Sequence, residues 1–456
     1  MIVRNEESTI IDSINSLIGL AEEIVVYDTG STDQTTNIIS NLSNAYPGLI
    51  RLIHGYWDDD FSRARNESLN QCSNDWVFII DADETIDRLD KDSLSLTLDA
   101  IASSKTGSIA DVDAVQIEVV DGAQGVGRSQ RRWKGLRLIR KSRCQWAGRI
   151  HEQIRKKLSN AEVDFIFTDS IVLRHHSENF TQSQIQAKKE RNLRIAAQAV
   201  KEIESSPFPS HVYISLGRTY LDQANFSDAI DSFQQGLLEP SISPIEQRMA
   251  YEGIIRSAIA IDKFALAEES LKLLGDISTS PVLAAYLDAL VKNAKGKYFN
   301  SRTEFERSNH ILKQTNFQQP DDFGSIWDIS IAAQLAIDNY IHLEDFRSAI
   351  ELILSQLSLG RSIYPLQQSL DIARQANVAL SIIANVVPHW NLKNILAEIT
   401  TMDITVADEL LELLYARWPD EPATVVVASM MLGDRMEPAR SRLWSSRLEA
   451  LKNEFG

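Results

Sequence analysis

The sequence has few cysteines, no long apolar run and no surplus of positive charge. Only Cys72 and Cys144 occur in 456 residues, which excludes a disulfide framework and is typical of a reducing compartment. No apolar stretch approaches the ~18 residues that cross a bilayer. Arg4, Glu6 and Glu7 interrupt any signal-peptide core near the start. We therefore expect a cytoplasmic protein with no membrane span.

The charge balance argues against a nucleic-acid partner. The net charge is −17, and an acidic chain has no bulk attraction for nucleic acid or for an anionic membrane. One segment is nevertheless basic, and it indicates either a site for a phosphate-bearing ligand or a solvated face. Its members are Arg128, Arg131, Arg132, Lys134, Arg137, Arg140, Lys141 and Arg143.

The first half of the chain alternates strand and helix patterns. Apolar residues at helical spacing predict helices over 10–18 and 62–71. Continuous apolar runs between such helices predict a mostly parallel sheet that is covered on both faces. Later strands alternate apolar and polar residues, which indicates a more antiparallel extension of the same sheet. The predicted strands are 2–3, 24–27, 49–53, 76–80, 114–119, 136–140 and 171–173.

A linker rich in serine and proline, 205–209, precedes a helical second half. Aromatic and small residues there fall close to the tetratricopeptide spacing, which predicts helix pairs that must stack to bury their apolar faces. The first repeat carries Tyr213, Leu216, Gly217, Tyr220, Phe226, Ala229, Phe233 and Pro240. We predict an α/β domain over 1–205, tetratricopeptide-like repeats over 210–365 and a helical continuation of the array over 366–456.

Two carboxylates, Asp81 and Asp83, follow the predicted strand at 76–80. Ligands of open α/β sheets bind beyond the carboxyl ends of the strands, and Mg²⁺ and Mn²⁺ favour oxygen ligands completed by water and phosphate. An isolated Asp-x-Asp is more often a turn or a helix cap. The prediction of a metal site therefore rests on the position of this Asp-x-Asp after a buried strand.

The segments after the first two predicted strands face the same crevice. Asp28 begins the sequence Asp-Thr-Gly-Ser-Thr-Asp, where a carboxylate can accept hydrogen bonds from a base or ribose and the following helix start favours anions. Arg4 and Glu6 follow the first strand. Both segments are also interpretable as strand-to-helix turns with caps, and the two interpretations are compatible.

Four motifs in order resemble glycosyltransferase family 2, which has the GT-A fold: MIVRNEE, VVYDTGSTDQT, DDDFSRARNESL and WVFIIDADE. The chain is similar to the bacterial branch with C-terminal tetratricopeptide repeats, which includes the peptide glycosyltransferases of glycocin bacteriocins. The motifs cover residues 1–240, and beyond them only the repeat character matches. The resemblance implies inverting transfer of a hexose from a nucleotide-diphospho-sugar, in the first place a UDP-sugar.

The resemblance implies a donor pocket built from three motifs. Asp28 would bind the nucleobase side of the UDP-sugar, with Arg4 and Glu6 nearby. Arg65 and Asn66 would line or support the pocket. Their alternative role is that of a helix face that stabilises the sheet.

The resemblance also implies the metal ligands. Asp83 would be the principal ligand, and Asp81 would contact the ribose or the metal. A histidine after the last strand usually completes the site in this branch, and His175 fits best by its distance from the strand. The Gly and Tyr that usually follow are absent here, which leaves His175 and His176 as alternatives.

The sequence from Trp146 to Glu152 resembles the second signature of the family, an aromatic residue, a glycine and then His-Glu. An inverting transfer needs a carboxylate near the acceptor to take its proton. Glu152 is the candidate base, and His151 is the alternative or orients the acceptor. A structural hydrogen bond at a strand edge is the other interpretation of this pair.

One departure concerns the first strand. The family normally has several apolar residues before its Met-Ile-Val, whereas this sequence begins at that point. Either the start is trimmed or misassigned, or the first strand is unusually short. The departure bears on how completely the nucleobase pocket is walled.

The sequence therefore predicts a glycosyltransferase that uses Mg²⁺ or Mn²⁺ and a UDP-sugar, with repeats that bind a peptide or protein acceptor. An exposed repeat array is also compatible with a homodimer. The alternatives are a glycosyltransferase of envelope polysaccharide synthesis, a non-catalytic scaffold and a nucleotidyltransferase. The last would need a glycine-rich phosphate loop where Arg4-Asn5-Glu6-Glu7 stands.

Overall fold

The computed structural model describes most of the chain. The described residues are 1–86, 96, 112–121, 131–176, 181–278, 280–315, 329–359, 364–419, 421–432 and 438–455. By their contacts they form two compact units, the first reaching Ala294 and the second beginning at Lys295. No helix in these ranges is long and apolar enough to cross a membrane.

The first unit begins as an α/β domain. Its strands are β1 Ile2–Val3, β2 Ile24–Asp28, β3 Ile50–His54, β4 Trp76–Phe78, β5 Glu84–Ile86, β6 Ala114–Asp121, β7 Arg131–Arg140, β8 Cys144–Ala147, β9 Gln153–Lys156 and β10 Phe165–His175. Its helices are α1 Ile10–Leu17, α2 Thr35–Ala45, α3 Phe61–Gln71 and α4 Gln182–Lys201.

Hydrogen-bond ladders divide the strands into two larger sheets and a hairpin. One sheet is parallel, with the order β1-β2-β3, and the other is mixed, with the order β4-β7-β6-β10-β5. Strands β8 and β9 form the antiparallel hairpin. Strand β4 pairs antiparallel with β7, so the described ladders do not join the expected single sheet. The two larger sheets still share one apolar core, in which Val26, Ile80 and Ile117 are buried together.

The short first strand lies beside a cavity. Strand β1 has two residues, and a cavity of about 540 Å³ is lined by Met1, Ile24 and Trp76. These residues lie at the starts of their strands. The lining also includes Ile79 and Ile80, so the cavity extends along the segment that leads to Asp81.

The rest of the chain is helical, as predicted. Its helices are α5 Pro209–Asp222, α6 Phe226–Leu238, α7 Pro244–Ala260, α8 Phe264–Ile277, α9 Pro281–Phe299, α10 Arg302–Thr315, α11 Ile329–His342, α12 Phe346–Ser358, α13 Leu366–Gln375, α14 Leu380–Val386, α15 Leu392–Ile399, α16 Ile404–Arg417, α17 Pro422–Leu432 and α18 Pro438–Phe455.

The repeat residues pack as core. Phe233 of α6 is fully buried against Gly217 of α5 and Gly253 of α7, where an added Cβ would overlap its ring. Gly296 of α9 lies against Phe305 of α10 in the same way. Small residues thus let neighbouring helices approach closely enough for one aromatic ring to fill the gap. The predicted fold class, an α/β domain followed by a helical array, is confirmed.

Candidate functional site

The loops after β1 and β2 are bound to each other. The backbone N–H of Asn5 donates to the Ser31 hydroxyl at 3.0 Å, and that of Thr32 donates to the Asn5 side chain at 2.7 Å. Asp28 is buried, and its carboxylate accepts the backbone N–H groups of Gly30 and Ser31 at 3.1 Å. The carboxylate predicted to face a nucleobase therefore also holds the turn that follows its strand.

The Arg4 and Glu6 side chains differ in their surroundings. Arg4 is exposed and Glu6 is half-buried. Burial, reinforced by the nearby Asp83 carboxylate, raises the pKa of Glu6 to about 7. Glu6 therefore lies close to the Asp-x-Asp segment, as the shared crevice predicts.

An ion-pair chain runs from Asp81 to the second signature. Arg65 of α3 donates from Nη1 to Asp81 at 3.0 Å and from Nε to Glu152 at 2.5 Å. Arg137 of β7 lies 3.7 Å from the other Asp81 oxygen and donates to Glu84. Burial alone would raise the pKa of Asp81, but the two guanidinium groups outweigh it and hold that pKa well below its usual range.

Neighbouring strand registers bring His175 to Asp83. Strand β5 begins directly after Asp83, and its Glu84 is paired with His175 of β10. His175 Nε2 lies 3.3 Å from the Asp83 carboxylate. Its Nδ1 lies 2.8 Å from Asp121, which ends β6 and is paired with His175 in that ladder. The hydrogen bonds to Asp121 and Asp83 outweigh burial and raise the pKa of His175 to about 10.

His176 lies elsewhere. Its Nε2 is 3.0 Å from the Thr85 hydroxyl, and its backbone N–H donates to the Asp83 carbonyl at 2.9 Å. Of the two candidate ligands, the structure thus brings His175 to the Asp83 carboxylate and His176 to a threonine. The two residues that follow His176 lie outside the described ranges.

The donor atoms fit a divalent cation only in part. Asp83 and His175 offer one oxygen and one nitrogen in contact, whereas both Asp81 oxygens face arginines. In the described part of the chain, no group of three or more His, Cys, Asp or Glu side chains is placed to hold a metal. A cation held by this pair would take its remaining ligands from water and phosphate, and the imidazole nitrogen departs from the all-oxygen ligand set that Mg²⁺ prefers.

The second signature is held by the first repeat helix. His151 has a left-handed backbone, with φ +51°, and its Nε2 lies 3.2 Å from the Thr219 hydroxyl of α5. Burial lowers the pKa of His151 well below its usual value, so the ring is neutral near pH 7. Asn66 binds the hairpin backbone at Trp146 in both directions, at 2.9 Å, which agrees with a supporting role.

The structure adds three polar residues that the sequence interpretation missed. Asp121 fixes the ring of His175. The Lys188 ammonium of α4 is attracted by the carboxylates of Asp83 and Glu6. The Arg191 guanidinium on the same helix is attracted by the carboxylate of Glu152. Burial lowers the pKa of both cations. The available signal was a cluster of basic residues in the helix that follows the last strand: Lys188, Lys189, Arg191 and Arg194.

Three residues of the basic segment, Arg137, Arg140 and Arg143, lie within ion-pair distance of carboxylates. Arg140 lies 3.8 Å from Asp75, and Arg143 lies 3.4 Å from Asp113. The Lys134 ammonium lies 4.4 Å from the centroid of the Phe167 ring. Arg128 lies outside the described residues. For Arg140 and Arg143 these pairings favour the interpretation of a solvated face, whereas Arg137 lies beside Asp81.

Asp81, Asp83 and the His-Glu signature thus lie close together, with Arg65 bridging Asp81 and Glu152. Residues 1–175 match the family model described as Glycosyl transferase family 2. This part of the chain is therefore a glycosyltransferase domain of that family.

Curated relatives agree with this assignment. The SPbeta prophage-derived glycosyltransferase SunS of Bacillus subtilis is 24% identical over 208 residues, 45% of this chain and 46% of that protein. The lipopolysaccharide core biosynthesis glycosyltransferase LpsC of Rhizobium meliloti is 34% identical over 157 residues, 34% of this chain and 55% of that protein.

A relative with repeats is also similar. A TPR repeat-containing protein of Synechococcus elongatus is 36% identical over 86 residues, which are 19% of this chain and 20% of that protein. The chain thus spans about half, or less, of the length of the relatives it matches.

Proposed function

We propose that this chain is an inverting, metal-dependent glycosyltransferase that transfers a hexose from a UDP-sugar to a peptide or protein acceptor. The observation that carries the proposal is the contact of Asp83 with His175 beside the Arg65-bridged pair of Asp81 and Glu152. Asp81 and Asp83 follow β4 and His175 ends β10, whereas Glu152 directly precedes β9; all lie in the segment that matches the family model.

Asp83 and His175 would hold Mg²⁺ or Mn²⁺ against the donor diphosphate, with Asp81 on the ribose or the metal. When bound, the cation would neutralise the charge of the leaving diphosphate. His175 must release the proton on Nε2 to become a ligand. Lys188 and Arg191 lie near enough to add positive charge around the same phosphates.

Glu152 would act as the general base. The acceptor oxygen or sulfur forms a bond to the anomeric carbon, the bond from that carbon to the diphosphate oxygen breaks, and the acceptor proton passes to the Glu152 carboxylate. The electron pair of the broken bond leaves on the nucleoside diphosphate. Arg65 keeps Glu152 in place through its 2.5 Å hydrogen bond. His151, neutral and held by Thr219, is suited to orienting the acceptor.

The proposed acceptor follows from the helical array, because stacked helix pairs form extended surfaces suited to peptides. Transfer to a glycan is a second candidate. It is supported by the similarity to LpsC, whose name assigns it to lipopolysaccharide core synthesis. A cytoplasmic location, a homodimer and the absence of a nucleic-acid partner remain predictions of the sequence.

The test is Asp83→Ala, assayed by nucleotide release from UDP- and GDP-sugars with Mg²⁺ and Mn²⁺. We expect hydrolysis and transfer to be lost while the melting temperature changes little, because Asp83 lies at the site rather than in the apolar core. Asp12→Ala, at an exposed position of α1, is the matched control. Normal turnover by Asp83→Ala would contradict the metal assignment.

Metal-dependent binding of UDP distinguishes an active enzyme from a non-catalytic scaffold. Isothermal titration of the whole chain with UDP should give binding that strengthens when Mn²⁺ is added. Absence of any metal-dependent UDP binding would favour the scaffold.

A further inference from the structure

The cavity of about 540 Å³ beside the first strand is enclosed by two strands and two helices. The start of β2, at Ile24 and Val25, and all three residues of β4 line it. Leu17 at the end of α1 and Leu69 of α3 line it as well. A strand inside a sheet that is covered by helices has the same surroundings.

Each of the two larger sheets ends at this cavity. Strand β1 is the last strand of the parallel sheet, and β4 is the last strand of the mixed sheet. Among the described residues, no ladder pairs β4 on the side away from β7 or β1 on the side away from β2. An unpaired edge presents a row of N–H and C=O groups to which a further strand can bind.

The ladder between β1 and β2 stops before it reaches the start of β2. The Tyr27 N–H donates to the Met1 carbonyl at 3.0 Å. The Met1 nitrogen donates to the Val25 carbonyl at 2.8 Å. Every second N–H of a strand faces the same neighbour, so the Val25 N–H points to this side too. The next bond of the ladder would join it to a carbonyl two positions before Met1.

The Met1 nitrogen is a titratable amine in a place that suits an amide. Burial disfavours its charged form and lowers the pKa of the α-amino group to about 6. A peptide N–H at the same position would make the bond to the Val25 carbonyl without carrying a charge. The surroundings of this nitrogen therefore suit a chain that continues through it.

We infer that this cavity is the binding site of one further strand: an extended segment of about four apolar residues, joined to the Met1 nitrogen and parallel to β2, which fills the space between β2 and β4. Because Ile2 is paired with Tyr27, the same register places the segment opposite residues 22–25, all of which line the cavity. An acyl chain would fit less well, since it offers no backbone groups to the Val25 N–H or to the edge of β4.

The segment would also support the helix that carries Arg65. The Ser68 hydroxyl of α3 donates to the Met1 carbonyl at 3.2 Å, and Arg65 and Ser68 both line the cavity. Arg65 bridges Asp81 and Glu152. A filled cavity would therefore steady the helix from which both carboxylates are held.

Extension of the whole chain before Met1 tests this binding site. One version carries Val-Leu-Ile-Val and the matched control carries Gly-Ser-Gly-Ser, each after an initiating methionine. We expect the apolar version to unfold at a urea midpoint higher by about 0.5 M or more. Cys72 lines the cavity, whereas Cys144 is fully buried. Maleimide labelling of Cys72 should slow tenfold or more in the apolar version only.

Ala21→Trp places a ring in the cavity, which Ala21 lines. In this variant the apolar extension should no longer raise the midpoint or protect Cys72. Ala45→Trp, at the exposed end of α2, should keep both effects.

Equal midpoints and equal Cys72 labelling in the two extended chains would overturn the inference, as would protection that Ala21→Trp leaves intact. Protection of Cys72 by decanoate, with no effect of the extension, would assign the cavity to a small apolar ligand instead. None of these measurements uses UDP or a sugar donor, so a failure of the transferase proposal would appear separately, as missing UDP binding and missing hydrolysis.

Discussion

Glu152 shares one guanidinium with Asp81, so the proposed base and the donor-side carboxylate are linked through a single residue. Arg65 is half-buried between them. Burial alone would lower the pKa of Arg65, but the two carboxylates outweigh it and raise that pKa. The guanidinium therefore stays charged at all working pH values and bridges the two carboxylates.

Glu152→Gln isolates the proton transfer. Glutamine keeps an oxygen for Arg65 but cannot take a proton, so we expect acceptor-dependent turnover to fall by about 10²–10⁴-fold with UDP binding unchanged. Turnover and UDP affinity are measured on the same samples. Glu67→Gln, at an exposed position of α3, is the control. Transfer at the normal rate in Glu152→Gln would assign the base to another group.

Asp121→Asn tests the positioning of His175. Histidine ligands usually donate their second ring nitrogen to a carboxylate, and loss of that partner typically costs about 10–100-fold in metal affinity or activity. We expect the Mn²⁺ concentration for half-maximal UDP release to rise within that range. Asp113→Asn, at the other end of β6, removes a buried carboxylate far from His175. An unchanged Mn²⁺ dependence in Asp121→Asn would contradict this role.

Sequence patterns could place some of these residues and not others. Asp83 stands in a local motif, and a pattern of a few residues suffices to single it out. Asp121 stands in no motif, because its relation to His175 is created by the parallel pairing of β6 with β10 across 54 residues. Likewise, the sequence could not show that both Asp81 oxygens face arginines from α3 and β7.

At the scale of elements, helix α5 joins the repeats to the catalytic hairpin. His211 of α5 is 4% exposed, and its Nε2 lies 3.2 Å from the Ser215 hydroxyl. Ser215 in turn donates to the Ile150 carbonyl at 3.2 Å. Burial lowers the pKa of His211 to about 3, so its ring is neutral in the folded protein at neutral pH.

The buried, neutral His211 should lower the free energy of unfolding as the pH falls. Below pH ~6.5 the unfolded histidine takes up a proton that the folded one refuses until about pH 3. Stability conferred by the neutral ring is therefore present above pH ~6.5 and is lost as the pH falls. Between pH 7 and 5 the loss is about 2 kcal/mol. Urea unfolding at both pH values measures it.

His211→Gln should reduce this pH dependence, whatever its effect on stability at pH 7. His54→Gln, at an exposed strand end, should keep the full dependence. An equal loss of stability between pH 7 and 5 in the wild-type and His211→Gln proteins would exclude His211 as the source.

The elements themselves were largely predictable, whereas their pairing was not. Helix α3 was expected over 62–71 and is found at Phe61–Gln71, because its amphipathic pattern is local. Strand β4 was expected in one sheet with β1. It pairs with β7 along one edge, and among the described residues no ladder joins its other edge to the two-residue β1.

At the scale of the molecule, the first compact unit extends beyond the predicted domain boundary at 205. It reaches Ala294 and so includes α5 to α8. The sequence marked the linker by its prolines and serines. It could not show that Leu216 of α5 packs with Ile150 and Ile195, since contacts between distant segments leave no compositional signal. The predicted boundaries at 205 and 365 remain predictions.

Fragments should show which boundary governs folding. A fragment of residues 1–205 would lose the α5 contact of Ile150 and would leave Arg155, 8% exposed in its side chain, without Glu246. The apolar surface that α5 and α7 cover would also be exposed to water in this fragment, which should destabilise it. We expect the fragment 1–278, which keeps α5 to α8, to unfold at a clearly higher urea concentration than 1–205 and to hydrolyse UDP-sugar. Equal unfolding midpoints with equal hydrolysis would instead make 205 the boundary of an independent domain, and the repeat helices would then be dispensable for the fold of the catalytic site.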